Sequence, residues 1–214
     1  MKVEEGYHER GYAKVEGLVP EELARAFLHQ MQVDLRQSGL TLRQFSASPK
    51  LLSKPAIEIH GSRYKPMNTF LWGMTPAMCQ MTGLDLLPTY CFFRIYQAGD
   101  ICRIHSDRPA CEHSLSLTLA YGDGVPWDFQ VGRTPLDQAK PFAESFGSEP
   151  YASVTMAPGD AVIYKGPRHR HGRITPNPNQ WSAHMFLHWV DKNGPHASDA
   201  FESVGRIPEK IDFS

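Results

Sequence analysis

Ser114-Leu115-Ser116-Leu117-Thr118-Leu119-Ala120-Tyr121 alternates with a period of two. Successive side chains of a strand point to opposite faces, so the octet reads as a β-strand with one apolar face. Gly122-Asp123-Gly124 closes it. Working upstream, Tyr90-Cys91-Phe92-Phe93-Arg94-Ile95-Tyr96 is a strand by its aromatic and β-branched content, Ala98-Gly99-Asp100 turns, and Ile101 to Asp107 forms another strand. Downstream, Trp127 to Val131 is short and strand-like, and the Pro-, Gly- and Ser-containing stretch 132–150 reads as a long loop. Ala152 to Met156, Ala161 to Tyr164 and Ser182 to Val190 add three strands, with Pro158-Gly159-Asp160 turning between the first two. Many short strands separated by turn residues predict a barrel or double-sheet jelly roll.

The N-terminal part has a different texture. Gly11-Tyr12-Ala13-Lys14-Val15 reads as a first strand. Pro20-Glu21-Glu22 opens a helix with a proline in the first turn and acids at the positive end of the dipole. Leu23, Phe27, Met31 and Leu35 give it a buried stripe, and Gly39 stops it. An irregular region runs to about Leu71, and Thr75-Pro76 predicts a second short helix, N-capped at Thr75 and ending at Gly83. The expected fold is therefore mainly β with flanking α: a double-stranded β-helix, or cupin-like jelly roll, with N-terminal helices packed on one side. The whole chain, 1–214, is expected as a single domain. It comprises a helical and substrate-wall region (1–86), a jelly-roll core (87–191) and a C-terminal tail (192–214).

Composition narrows the function classes. A formal net charge of −1 gives no electrostatic case for nucleic acid or an anionic membrane. No apolar run approaches the roughly 20 residues of a membrane helix, and Met1-Lys2-Val3-Glu4-Glu5 lacks the apolar stretch of a secretory signal. Cys79, Cys91, Cys102 and Cys111 show no C-x-x-C spacing, and are read as reduced thiols of a cytoplasmic protein. No sequence feature speaks to oligomeric state.

His105-Ser106-Asp107 carries the chemistry. On an alternating strand, residues two apart share a face, so an imidazole and a carboxylate point at one atom. A second imidazole from a distant strand, His171, completes a face of two His and one carboxylate, which suits octahedral Fe(II) with three open positions. The plain alternative for such a triplet is a surface His–Asp pair.

With that motif in place, the chain resembles non-haem Fe(II)/2-oxoglutarate-dependent oxygenases of the double-stranded β-helix type. Glu9-Arg10-Gly11-Tyr12 and Gly17-Leu18-Val19-Pro20-Glu21-Glu22-Leu23 are similar to the entry strand and helix of phytanoyl-hydroxylase-like members. Ile95-Tyr96-Gln97-Ala98-Gly99-Asp100 resembles the approach to the metal in prolyl-hydroxylase-like members. Pro158 to Tyr164 looks like the turn and strand that bring in the distal histidine, and Phe186 to Asp191 like the aromatic closing strand. The resemblance spans roughly 9–191 and is strongest from Tyr90 to Asp191. Arg108-Pro109, Cys111-Glu112 and His171-Gly172-Arg173 are similar to a bacterial and phage-type subgroup.

The resemblance implies metal ligands at His105, Asp107 and His171, the last chosen over His169 by the Tyr-x-Gly spacing before it. It implies Fe(II), 2-oxoglutarate as co-substrate and O2, with release of succinate and CO2 as a C–H bond of a small-molecule or peptide substrate is hydroxylated. Relatives place the cation for the distal carboxylate nine to thirteen residues after that histidine, yet Gln180 to His184 include no Arg or Lys. The remaining candidates are Arg173, Arg94, Arg103 and His184, with hydroxyls from Tyr96 and Tyr121, each tyrosine being equally readable as core. Arg108 and Glu112 are read as an intra-loop ion pair or as substrate contacts, and one of His184 and His188 as a cavity residue. The rival class is a cupin-like protein that binds a metal or small molecule without oxidising anything.

Overall fold

The computed structural model describes residues 1–202, 204, 205 and 207–213. In chain order the elements are β1 (Lys2–Val3), α1 (Tyr7–Arg10), β2 (Tyr12–Glu16), α2 (Glu21–Gln37), β3 (Ser46–Ala47), β4 (Ala56–His60) and α3 (Pro66–Thr82). Then come β5 (Leu86–Gln97), β6 (Cys102–His105), β7 (His113–Tyr121), β8 (Phe129–Gly132), β9 (Tyr151–Val154), β10 (Ala161–Tyr164), β11 (His171–Arg173) and β12 (Trp181–Asp191). The strands form two antiparallel sheets, ordered β1-β2-β10-β7-β12-β5-β4-β3 and β6-β11-β8-β9. This is the expected mainly-β jelly roll. β2 and β4, from the N-terminal region, extend the larger sheet through pairing with β10 and β5.

The octet 114–121 sits near the middle of the larger sheet, between β10 and β12. Its apolar residues Leu115, Leu117 and Leu119 join Met185, Leu187 and Trp189 of β12 in a core shared with Met31, Leu35, Met67, Leu71 and Met78 of the helices. Burying each such leucine contributes about 2 kcal/mol. The polar alternates do not face solvent. Ser114, Ser116 and Thr118 are fully buried on the side that looks toward the smaller sheet. The period-two pattern thus separates a greasy helix-facing side from a polar interior.

Two helix expectations change. Leu23 is half exposed and Ala24 is buried in its place. Strict four-residue spacing drifts by about 40° per step on a helix of 3.6 residues per turn, so the stripe that fits at Met31 and Leu35 has rotated off the sheet by Leu23. The second helix begins at Pro66 rather than at Thr75, and Pro76 lies inside it. Met67, Leu71 and Met78 bury one continuous face, which outweighs the backbone hydrogen bond the proline removes. Thr75 is not a cap; its hydroxyl donates to the Leu71 carbonyl. Gly83 does end the helix, at φ +67°.

Among the described residues no helix is long and apolar enough to cross a membrane. All four cysteines are free thiols.

Candidate metal centre and cavity

β6 and β11 pair antiparallel with His171 directly opposite His105, their ring centroids 4.3 Å apart. The strand ends at His105, however, so Asp107 does not reach its position by strand alternation. It is held by the chain that follows β10: the Asp107 N–H donates to the Gly166 carbonyl at 3.0 Å. Gly166 is required there, because a Cβ at that position would overlap the Asp107 carboxylate.

The three groups converge. His105 Nε2 lies 3.5 Å from Asp107 Oδ1, and His171 Nε2 lies 3.4 Å from Asp107 Oδ2. Each imidazole is anchored from behind. Nδ1 of His105 donates to the Arg103 carbonyl and Nδ1 of His171 to the His169 carbonyl, both at 2.9 Å. With the proton on Nδ1, each Nε2 presents a lone pair to a carboxylate that offers only lone pairs. Asp107 Oδ2 is buried without a hydrogen-bond partner among the described residues. Burial, followed by the neighbouring imidazole of His171, pushes the His105 pKa down. Burial alone would raise Asp107; the charge of His171 and the hydrogen bonds of both imidazoles in their protonated form outweigh it and pull the carboxyl well below its usual range, whereas the neutral rings offer it only lone pairs. Four inward-facing lone-pair atoms, with the imidazole tautomers set from behind, form a donor set that could hold a divalent cation.

His169, two residues away, points elsewhere. Its Nδ1 donates to the Gly132 carbonyl, and its ring packs on Gly11, where a side chain would overlap it.

The cavity beside this centre has a volume of about 140 Å³ and opens to solvent. Tyr90, Phe92, Arg94 and Tyr96, alternate residues of β5, line it, as do Phe186 and His188 of β12. Phe92 stacks on Phe186 at 4.7 Å and Tyr90 on His188 at 4.6 Å. The aromatic wall was legible as alternation along 90–96, but the inward face had to be known first. Tyr164 also lines the cavity, its ring 4.5 Å from that of His171.

Two guanidiniums reach the interior. Arg94 is bound to Glu58 and donates to the Tyr96 hydroxyl at 3.0 Å. Arg173 is almost fully buried, stacks on Trp127, and donates to the Trp127 carbonyl and to His184 Nδ1. It has no carboxylate partner among the described residues. Arg103 is turned to the surface, toward Glu144 and the Lys50 and Leu52 carbonyls.

The other expectations divide. Tyr96 lines the cavity with its hydroxyl on Arg94. Tyr121 does not line it; its hydroxyl donates to the Met156 carbonyl at 2.9 Å, as a packed core tyrosine does. His184 stands behind Arg173 rather than in the lining. Burial, followed by the Arg173 charge, pushes its pKa well down, so it accepts from the guanidinium. His188, the alternate residue of the same strand, does line the cavity. Burial holds its pKa down to about 4. Arg108 and Glu112 do not pair: Arg108 binds Glu202 at 2.6 Å and lies over the Tyr90 ring, while Glu112 accepts the Asp191 N–H.

No family model matches the sequence, and no curated protein matches it either. Solved structures do match in fold. The epimerase SnoN in complex with Fe3+, alpha ketoglutarate and nogalamycin RO superposes with a TM-score of 0.66 at 13% identity, covering 95% of this chain and 90% of that one. The non-heme alpha ketoglutarate dependent carbocyclase SnoK from nogalamycin biosynthesis gives 0.65 at 11% identity, covering 93% and 85%. A Pseudomonas putida prolyl-4-hydroxylase gives 0.58 at 16% identity, covering 88% and 96%. The chain therefore has the double-stranded β-helix fold of these proteins.

Proposed function

We propose that this protein is an Fe(II)- and 2-oxoglutarate-dependent oxygenase that hydroxylates a C–H bond of a small-molecule substrate. The observation that carries this reading is the convergence of His105 Nε2, His171 Nε2 and both Asp107 oxygens, with each Nδ1 tied to backbone. Two histidines and one carboxylate on one face leave open positions for a chelating keto acid and for O2. The neighbours' fold supports it, since SnoN binds iron and alpha ketoglutarate in that scaffold. The epimerase and carbocyclase among them share the scaffold, and hydroxylation is the outcome we assign to this chain.

When bound, iron and 2-oxoglutarate supply the oxidising power, with succinate and CO2 as products. The protein's own residues bind and orient. His105, Asp107 and His171 hold the metal; the backbone carbonyls of Arg103 and His169 keep both imidazoles in the ligating tautomer. Arg173 receives the distal carboxylate of the co-substrate, a charge-assisted contact suited to a guanidinium without an anionic partner. His184 and the Trp127 ring keep it aimed. Arg94 is already neutralised by Glu58 and steadies the Tyr96 hydroxyl at the cavity floor. Phe92, Phe186 and Tyr90 exclude water from the substrate space.

The test is succinate formation from 2-oxoglutarate with Fe(II) and O2, in wild type and in His105→Ala and Asp107→Ala. Turnover confined to the wild type supports the reading; equal turnover in all three removes it. A cupin-like binder without oxygenase activity would bind Mn(II) but not 2-oxoglutarate at millimolar concentration.

A further inference from the structure

His188 is a buried histidine to which no role has yet been given. It is 2% exposed, lies in the cavity lining, and its Nε2 has no hydrogen-bond partner among the described residues. One of its ring nitrogens, the Cys111 sulfur and an Asp107 oxygen all lie within 4.8 Å of one another, so the ring stands beside the metal-binding carboxylate. Its tautomer follows from its neighbours. The Ser114 hydroxyl donates its single hydrogen to the Cys111 carbonyl at 3.1 Å. The same oxygen lies 2.8 Å from His188 Nδ1, and both contacts are hydrogen bonds at once only when it accepts there. Nδ1 therefore carries the proton and Nε2 carries a lone pair. The ring cannot swing to bury that atom elsewhere, because it is stacked on Tyr90 at 4.6 Å and flanked by Phe92.

A desolvated lone pair without a donor is costly; beside it Phe92 and Phe186 are apolar, and the Tyr90 hydroxyl is engaged with Cys111. We propose that His188 is a substrate-positioning residue whose Nε2 accepts a hydrogen bond from a hydroxyl or amine of the substrate. The stacked Phe92–Phe186 pair beside it takes a flat, apolar portion of the same molecule. The substrate class is thus an alcohol or amine carried on a ring-like apolar frame, with the donor fixing which C–H faces the metal. This rests on the reading of the cavity as the substrate site.

Two probes of the same shape separate the donor from the frame: benzyl alcohol, and ethylbenzene, in which a methyl replaces the hydroxyl. Dissociation constants are measured by ligand-observed NMR on the metal-free protein and on protein loaded with Zn(II) and 2-oxoglutarate. In His188→Phe the alcohol should weaken relative to ethylbenzene by about three- to tenfold, the worth of one hydrogen bond. His188→Gln, which keeps an acceptor, should restore most of the preference. A 15N-histidine spectrum of the wild type needs no variant: His188 Nε2 should appear unprotonated and shift with benzyl alcohol but not with ethylbenzene. An unchanged ratio in His188→Phe, a protonated Nε2, or no saturable binding of either probe at millimolar concentration overturns the inference. An alcohol preference without succinate formation sinks the oxygenase reading alone; succinate formation without the preference sinks this inference alone.

Discussion

The Arg173 guanidinium lies 3.3 Å from His184 Nδ1, although the two residues belong to different sheets. β12 carries no cation where the family resemblance expects one, and histidine occupies the last of those positions. The side chain of β11 fills the space from the opposite wall, with its charge directed by the imidazole and by the Trp127 ring. Under the proposed function this pair replaces a single arginine.

Arg173→Gln should weaken 2-oxoglutarate binding about 10- to 100-fold, the worth of a charge-assisted hydrogen bond in a buried site. Anaerobic titration of the Fe(II)-loaded protein, followed by the visible band of the chelate, measures it. Fe(II) affinity without the co-substrate should change little. Unaltered 2-oxoglutarate affinity would mean the anchor lies elsewhere, with Arg94 the next candidate.

Gly166→Ala should reduce metal affinity at least tenfold, since the new methyl overlaps the Asp107 carboxylate and has no other space. The measurement is the Mn(II)-induced rise in melting temperature, which reports binding to the folded state. His169→Ala, by contrast, should keep that rise because its ring is turned toward Gly11. Loss of the rise in His169→Ala with retention in His171→Ala would exchange their roles.

Gly11→Ala should destabilise the protein by about 2 kcal/mol or more. Gly11 has φ +78°, where an L side chain is strained, and its Cβ would strike the His169 ring. Urea unfolding gives the value. A change below about 0.5 kcal/mol would show that the β2 entry and His169 move apart at no cost.

His113 titrates with the fold. Burial, followed by the charge of Lys165, lowers its pKa from 6.5 to about 4, and its Nδ1 is 2.7 Å from the Tyr7 hydroxyl. Because the unfolded chain takes up the proton first, the stability present above pH 6.5 is lost as pH falls toward 4, by up to about 3 kcal/mol. In His113→Gln that decline should be shallower over the same interval, as read from urea midpoints between pH 7 and 4. Parallel curves would show that His113 takes up its proton at the same pH folded and unfolded.

The sequence made the jelly roll legible because its period is written in adjacent residues. Leu115, Leu117 and Leu119 must share a face whatever surrounds them, and 161–164 is a strand by composition alone. His105, Asp107 and His171 were legible as a set by spacing and resemblance. The route by which they meet was not, because Asp107 sits beyond the end of β6 and owes its position to Gly166. Nor does alternation say which environment each face meets. Ser114 and Thr118 look like solvent-facing alternates until a second sheet is laid over them. Local sequence determines periodicity; which face is enclosed, and which guanidinium comes to lie against His184, depends on contacts between residues far apart in the chain. Those contacts are fixed only when the two sheets close.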